Sequence, residues 1–183
     1  MSKFNIHTVE TAPAESKAML QQAKNNNGMI PNLLGVLSES PQTFAAYSQL
    51  HQLFTESSLD HEEMTVVWQT INAAHNCTYC VPAHTAIAHS MKVDPELTEA
   101  LRNGDAMPTE KLQVLRDTTL ELVQERGELS SVSLERFYSV GYAQRQLLEI
   151  VLGLSQKVIS NYVNHLAHTP LDSAFQPFAW EKK

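Results

Sequence analysis

The chain has 183 residues, of which 43% are apolar, and a formal net charge of −7 from 13 basic and 20 acidic residues. A chain of this length can bury a substantial core as one domain without disulfide bonds. No lysine or arginine cluster is present to bind a phosphate backbone, which argues against nucleic acid as a partner. The start of the chain lacks a signal-like apolar run, and no later run is long enough to span a bilayer, so we expect a soluble cytoplasmic protein that binds no membrane.

The sequence predicts an all-α fold, because glycine is rare, with six in the chain, and the apolar residues recur at helical spacing. Residues that commonly begin or end helices separate the segments. In the first part of the chain we expect an arm over residues 1–12 and helices over 14–24 and 32–37. A helix after Pro41 is expected to bury an aromatic stripe that includes Phe44 and Phe54. The next helix is expected to begin at Asp60, with Glu62 and Glu63 as surface acids in its first turn.

The second part of the chain predicts further helices, of which the last is the most apolar. This helix, over 144–167, is apolar around more than half of its circumference and is therefore expected to be central or between subunits. Gly153 within it costs about 1 kcal/mol relative to alanine, so we expect another helix to cross closely there. The aromatic tail after Pro170 is expected to pack on the rest of the protein. The other expected helices cover 94–104, 109–126 and 133–140, and we divide the chain into an N-terminal arm and helix, 1–30, and a helical domain, 31–183.

Both cysteines lie in one short stretch, His75-Asn76-Cys77-Thr78-Tyr79-Cys80-Val81-Pro82-Ala83-His84. If a helix begins near Cys77, then Cys77, Cys80 and His84 lie at i, i+3 and i+7 on one helix face. The positive end of a helix lowers the pKa of a thiol and favours its nucleophilic thiolate form. Either Asn76 or Thr78 is suited to cap this helix, because Pro82 is tolerated only in a first turn. The stretch therefore predicts a redox dithiol at a helix start.

The three groups of this dithiol site are expected to have different roles. His84 follows Cys80 by four residues and is expected to be the base nearest to that sulfur, whereas Cys77 lies closer to the helix start and is expected to be more accessible. We expect Cys80 to be oxidised to a sulfenic acid and Cys77 to condense with it to a disulfide, and the opposite assignment stays open. His75 is a candidate for a proton relay, and Tyr79 for a hydroxyl donor near the sulfurs.

Two alternatives compete with the redox interpretation. Zinc could bind Cys77, Cys80 and His84, but His89 points to a different helix face, so the fourth ligand would have to be His75 or a distant histidine. Alternatively, the cysteines are small buried apolar residues of a non-catalytic, oligomeric helical binding protein, and His84 is a hydrogen-bonded core histidine. In the long helix, Asn161, Asn164 and His165 are interpreted as structural hydrogen-bonding residues, although they could face the site.

The stretch Asn76 to His84 resembles the CxxCxxxH signature of the alkyl hydroperoxidase D-like branch of the carboxymuconolactone decarboxylase family. The C-terminal runs Ser160-Asn161-Tyr162-Val163-Asn164-His165-Leu166 and Thr169-Pro170-Leu171-Asp172 resemble the ending of longer, peroxidase-related members. The resemblance extends from about Pro31 onwards. It implies an all-helical homo-oligomer, such as a dimer, trimer or hexamer, that acts as a thiol-dependent peroxidase or disulfide reductase in antioxidant defence.

The resemblance implies that Cys77 and Cys80 are the redox dithiol and that His84 is the relay histidine. The sequence departs from the family pattern in two places: Thr65 stands where the relay glutamate usually lies, and Tyr79 stands where some members have a histidine. His75, Glu62 and Glu63 are candidates to complete the relay instead.

The implied substrate is a hydroperoxide or a disulfide, and the implied reductant is an external dithiol protein. No organic cofactor or metal is required. The lactone decarboxylases that give the family its name generally lack the paired cysteines, which argues against that reaction here.

Overall fold

The computed structural model describes residues 4–182, so residues 1–3 of the expected arm and Lys183 lie outside the described residues. Within this range the protein contains helices and no strand, which confirms the predicted all-α fold. The helices are α1 (Ala14–Asn27), α2 (Asn32–Leu37), α3 (Pro41–Thr55), α4 (His61–Ala74), α5 (Cys80–Ser90), α6 (Pro95–Asn103), α7 (Glu110–Gln124), α8 (Ser131–Ser139) and α9 (Gln144–Ala167), followed by a 3-10 helix, Ser173–Phe178.

Side-chain caps fix several helix starts. Asp60 accepts a hydrogen bond from the Glu63 backbone N–H while the Glu63 carboxylate accepts one from the Asp60 N–H, a reciprocal capping box. The end of α1 was predicted too early, because the helix continues through the asparagine triplet to Gly28, whose φ of 71° suits glycine. Local capping chemistry therefore sets most helix boundaries, and the expected α9 range is confirmed.

Glu63 differs from the sequence expectation of a surface acid. Its side chain is 6% exposed, and its carboxylate pairs with Lys111 at 2.8 Å and accepts a hydrogen bond from the Tyr142 hydroxyl at 3.0 Å. These partners come from α7 and from the turn before α9, which the local sequence around Glu63 does not reveal. Glu62 is exposed, as expected.

The long helix α9 is central, since it contacts α2, α3, α4 and α5. Its buried face is mainly polar towards the C-terminal half, where Gln156, Lys157, Asn161 and Asn164 are enclosed. On other sides of the helix four large apolar side chains are exposed, namely Leu148, Val151, Tyr162 and Leu166. The core has two clusters, one around Trp68 and Phe137 and one that joins α1–α3 to the two cysteines.

A close helix crossing at Gly153 is confirmed. A Cβ atom added at this position would lie 2.7 Å from Cε2 of Phe54 in α3, which is nearer than non-bonded carbon atoms approach. Phe54 is itself completely buried against Trp68, with the ring centroids 4.9 Å apart. The absence of a side chain at Gly153 thus allows α3 and α9 to pack closely.

Replacing Gly153 with alanine should destabilise the protein by about 1–3 kcal/mol. The added methyl group clashes with Phe54, and the cost of this overpacking exceeds the stability gained from the higher helix propensity of alanine. Denaturant unfolding would measure this difference. Ser155→Ala is a matched control at an exposed position of the same helix. The double variant Gly153→Ala with Phe54→Leu should be less destabilised than the sum of the two single changes, and strict additivity would contradict the proposed clash.

The aromatic tail packs on the rest of the protein, as predicted. The Trp180 indole N–H donates a hydrogen bond to the Arg102 carbonyl at 2.8 Å. The Phe178 ring packs edge-on against the His89 ring, with centroids 4.9 Å apart, and the Phe175 ring packs in the same way against Tyr79, with centroids 6.2 Å apart. These contacts hold the tail against α5 and α6. In residues 4–182, no helix is sufficiently long and apolar to cross a membrane.

Candidate active site

The two cysteines lie where the chain turns from α4 into α5. Asn76 adopts a left-handed conformation, with φ of 54°, and the Cys77 backbone N–H donates to the Asn72 carbonyl at 3.0 Å. These features belong to the end of α4 and not to the start of the next helix. The predicted helix start near Cys77 is therefore wrong, because α5 begins at Cys80. Tyr79 occupies its N-cap position, in place of the predicted Asn76 or Thr78. Pro82 lies in the first turn, as its geometry requires.

The two thiols are free and buried, and their environments differ. Cys77 is 0% exposed, and its Sγ accepts a hydrogen bond from the Cys80 backbone N–H at 3.2 Å. Cys80 is 1% exposed, yet it lines a large cavity. The expectation that Cys77 is the more accessible thiol is therefore wrong, because the turn buries the Cys77 side chain against the first residue of α5.

The sulfur of Cys80 is surrounded by groups that favour its thiolate. The Asn164 amide donates to Cys80 Sγ at 3.2 Å. Burial opposes ionisation, but hydrogen bonding from Cys77, the positive charge of Lys157 and the amides of Asn164 and Asn161 together hold the pKa of the Cys80 thiol below its ordinary value. Hydrogen bonding to Cys80, together with burial, raises the pKa of Cys77, so Cys77 keeps its proton. The dithiol is thus polarised, with the thiolate on Cys80.

Lys157 is the charged group of the site, although it was not among the site residues predicted from the sequence. Its side chain is 1% exposed, and Nζ lies 2.9 Å from Nε2 of His84. No carboxylate in the described residues forms an ion pair with it. Burial lowers the pKa of Lys157, whereas the negative charge of the cysteine pair raises it. The ammonium group and the Cys80 thiolate therefore stabilise each other in the interior.

His84 lies beside the dithiol on α5, but its ring nitrogen contacts Lys157. Burial and the charge of Lys157 lower the pKa of His84 well below its ordinary value, so the ring is neutral. Its Nδ1 has no hydrogen-bond partner in the described part of the chain. The ring also packs against Trp68, with centroids 4.8 Å apart. A neutral His84 is suited to orient the Lys157 amino group.

One face of α9 supplies the polar groups that approach the dithiol. Lys157, Asn161 and Asn164 are spaced at i, i+4 and i+7, which places them on one side of the helix. The Asn161 amide donates to Asn72 at 3.0 Å, and its oxygen contacts His75 Nδ1 at 2.8 Å. Asn164 faces the sulfur instead of satisfying buried backbone, contrary to our structural interpretation, whereas His165 is exposed.

The other predicted relay residues have different surroundings. The Thr65 hydroxyl donates to the His61 carbonyl of its own helix at 2.7 Å, and the exposed Glu62 lines a separate cavity with Met91 and Lys92. The Tyr79 hydroxyl donates to Asp172 at 2.5 Å and accepts from the Leu33 N–H at 3.3 Å. The structure therefore brings Cys77 and Cys80 together, places His84 in the wall of the same cavity as Cys80, connects His75 through Asn161, and ties Tyr79 to the tail.

Residues 4–182 contain no group of three or more histidine, cysteine, aspartate or glutamate side chains arranged to hold a metal ion. Among the histidines considered for zinc, His89 packs on Phe178 and His75 contacts Asn161. The donor set of the site is instead one of thiols, amides and an amine.

A cavity of about 790 Å³ opens beside Cys80. This volume is within the range of sites for small organic molecules, roughly 300–1,000 Å³. Its walls come from α1, α2, α3, α5, α9 and the tail. The apolar lining includes Met19, Leu34, Phe44, Ile87 and Phe175, and the polar lining includes His51, His84 and Lys157.

Sequence reasoning missed Lys157 as a site residue, gave Asn164 this role only as the less favoured alternative, and missed His51. A signal for the first two was present, since a lysine and two asparagines share one face of an otherwise apolar helix. His51 had no comparable signal, because its partners lie on α4 and α9.

The fold is similar to that of several solved structures. An uncharacterized peroxidase-related protein from Ralstonia eutropha JMP134, described as an alkylhydroperoxidase AhpD core, has a TM-score of 0.83 at 18% identity over 95% of this chain and 94% of its own. A peroxidase-related protein from Silicibacter sp. TM1040 has a TM-score of 0.80 at 19% identity over 95% of both chains. The debrominase Bmp8 has a TM-score of 0.79 at 14% identity over 97% of this chain and 96% of its own.

No protein-family model matches the sequence, and no curated protein matches it significantly. The structural similarity extends over nearly the whole chain. The protein therefore has the fold of the AhpD-core, peroxidase-related proteins, as the CxxCxxxH resemblance implied.

Proposed function

We propose that the protein is a thiol-dependent oxidoreductase whose Cys77 and Cys80 dithiol reduces a hydroperoxide or a disulfide and is restored by an external dithiol protein. The observation that carries this proposal is the polarised pair itself: Cys80 lines a cavity beside Lys157 and Asn164, while Cys77 is held beneath it as a protonated thiol. A stable thiolate next to a neutral thiol is the arrangement that two-step dithiol chemistry requires.

With a hydroperoxide, the reaction begins when the Cys80 thiolate attacks the terminal peroxide oxygen. An S–O bond forms, the O–O bond breaks, and the departing alkoxide takes a proton from the Lys157 ammonium group. The Cys77 thiol then attacks the Cys80 sulfenic acid, a disulfide forms, and water leaves. In sum, two thiols and one hydroperoxide give a disulfide, an alcohol and water, and the external dithiol reduces the disulfide by exchange.

In this mechanism, Lys157 and His84 take the place of the family's glutamate relay. Lys157 stabilises the thiolate and supplies the proton, and neutral His84 accepts a hydrogen bond from Lys157 Nζ. The Thr65 hydroxyl cannot act as an acid or base in place of the glutamate. A site in which Lys157 carries the charge and supplies the proton does not need an acid at position 65.

The named functions of the similar structures support an enzymatic role for this fold. Two are peroxidase-related proteins and one is a debrominase, which was also determined as a cysteine-to-alanine variant in complex with 2,3,4-tribromopyrrole. Identities of 14–19% limit this support to the type of scaffold. The choice of thiol chemistry rests on the Cys80 site of this chain.

One equivalent of an organic hydroperoxide should convert both thiols of the reduced protein into an intramolecular disulfide. Thiol counting before and after the reaction, with mass mapping of the product, would measure this change. In Cys77→Ser the reaction should stop at a sulfenic acid on Cys80 that a dimedone probe captures, and Cys80→Ser should not consume peroxide at more than the background rate.

Persistence of both thiols while peroxide remains would refute the peroxidase reaction, and reaction with a disulfide substrate would then decide the reductase alternative. Metal analysis of protein purified without added metal tests the zinc alternative. About one zinc ion per chain, lost in Cys77→Ser, would contradict the redox proposal.

A further inference from the structure

His51 lies on α3 and lines the same cavity as Cys80, but no step of the proposed reaction uses it. Its ring stacks on Trp68, with centroids 5.6 Å apart and planes at 16°, and on Tyr47, with centroids 6.4 Å apart and planes at 14°. A ring held between two aromatic side chains has little freedom to rotate. His51 is therefore a fixed polar group in the wall of the cavity.

A chain of hydrogen bonds fixes the proton of this ring. The Trp68 indole N–H can only donate, and it donates to Oε1 of Gln156 at 2.7 Å. The Gln156 amide nitrogen is therefore turned towards Nδ1 of His51, at 3.1 Å. Because an amide NH₂ group can only donate, Nδ1 must be the acceptor, and the ring proton is on Nε2.

The ring also remains neutral under physiological conditions. Burial and the nearby charge of Lys157 lower the pKa of His51 to about 4. With Nδ1 occupied by Gln156, the Nε2–H is the remaining polar group of a ring that lines the cavity. The cavity thus contains a preorganised neutral donor in addition to the thiolate and the ammonium group.

We propose that the Nε2–H of His51 donates a hydrogen bond to the oxygen that leaves when Cys80 attacks an organic hydroperoxide. This inference rests on the proposed peroxidase function and assigns His51 as a further catalytic residue. The O–O bond breaks towards this oxygen, which becomes an alkoxide, and Lys157 supplies the proton while His51 retains its own. A fixed donor stabilises charge that develops in the transition state without reorganisation at the moment of reaction.

The dependence of rate on the leaving group distinguishes this role from a structural one. An alkoxide from an alkyl hydroperoxide is strongly basic and needs stabilisation, whereas the carboxylate from a peroxy acid does not. His51→Phe should keep the aromatic stack and lower the second-order rate with an alkyl hydroperoxide by about 10–100-fold. With a peroxy acid the same variant should lose less than about threefold. Gln42→Ala, at an exposed position of α3 outside the cavity, is the control and should react as the wild-type protein does.

Nitrogen NMR of the His51 ring tests the proton position independently of activity. The wild-type spectrum should show a protonated Nε2 and an unprotonated Nδ1 at pH 7. In Gln156→Glu the carboxylate can only accept, so the proton should move to Nδ1, or the ring should become doubly protonated.

An equal loss of rate with both oxidants, no loss, or a wild-type proton on Nδ1 would each overturn the assignment of His51 while leaving the dithiol reaction intact. If the wild-type protein reduces neither oxidant, the proposed peroxidase function fails, and this assignment fails with it.

Discussion

Replacing Lys157 with methionine should slow the reaction of Cys80 with hydroperoxide at pH 7 by up to about tenfold through loss of thiolate, since a neighbouring opposite charge shifts a pKa by roughly 1–3 and the Cys80 pKa starts at about 5. Methionine retains the length of the side chain but removes the ammonium group that stabilises the thiolate and protonates the alkoxide. The pKa of Cys80 should rise in this variant, because burial then acts with less opposition. Most of the lost rate should return as the pH is raised and the thiolate forms again.

The pH dependence of alkylation by iodoacetamide would measure this pKa directly. A Cys77→Ser background leaves one reporting thiol, and the comparison with and without Lys157 isolates the effect of the charge. Lys17→Met is a control at an exposed position of α1 and should leave the alkylation profile unchanged. An unchanged Cys80 pKa on replacing Lys157 in this background would show that hydrogen bonds alone maintain the thiolate.

Stability should change in the opposite direction in the same variant. Burying the Lys157 ammonium group and the Cys80 thiolate as a pair carries a large desolvation penalty, and the variant removes it because methionine is apolar and the Cys80 thiol can then keep its proton. We therefore expect Lys157→Met to unfold at the same denaturant concentration as the wild-type protein or a higher one. Lower activity together with equal or greater stability would exclude unfolding as the cause of the lost rate.

The sequence predicted the parts of the fold that local patterns determine. The range of α9 follows from its apolar periodicity, and the close approach at Gly153 follows from a glycine within a helix that otherwise lacks one. The start of α5 was missed, because it depends on the left-handed Asn76 and on the bond from the Cys77 N–H to Asn72. No propensity of the CxxC residues indicates these two features.

The candidate site could be predicted only in part for a similar reason. Cys77, Cys80 and His84 are close in sequence, so their spacing alone places them together. The contacts of Lys157 with His84 and of Asn164 with Cys80 join residues 73 and 84 positions apart. Such contacts depend on how α9 crosses α5, which periodicity does not determine. Glu63 was misassigned for the same reason, since Lys111 and Tyr142 come from distant segments.

Asp172 provides a long-range connection between the tail and the dithiol turn. Its carboxylate accepts hydrogen bonds from the Tyr79 hydroxyl at 2.5 Å and from the Asn32 backbone N–H at 3.1 and 3.2 Å. Asp172 and Tyr79 are both buried. Since Tyr79 lies between the two cysteines in sequence and occupies the N-cap position of α5, this carboxylate holds the turn, the start of α2 and the tail together.

Asp172→Ala should destabilise the protein by about 2–4 kcal/mol, because it leaves the buried Tyr79 hydroxyl and the half-buried Asn32 N–H without their acceptor. For a chain of this size, that loss corresponds to a fall in Tm of roughly 5–15 °C. Tyr79→Phe removes one hydroxyl and should cost less, about 1–2 kcal/mol. Asp117→Ala is a control at an exposed acid that pairs with Arg136, where a change within about 0.5 kcal/mol is expected.

The double variant of Tyr79 and Asp172 decides whether the two residues act as one unit. If the hydroxyl and the carboxylate stabilise each other, the double variant should be less destabilised than the sum of the single variants by at least about 1 kcal/mol. Additive losses would show that Asp172 acts only through the Asn32 N–H. Coupling through Tyr79 would mean that the tail stabilises the turn carrying Cys77 and Cys80. Asp172→Ala should then expose the dithiol and speed its alkylation at a pH where the wild-type thiolate is fully formed.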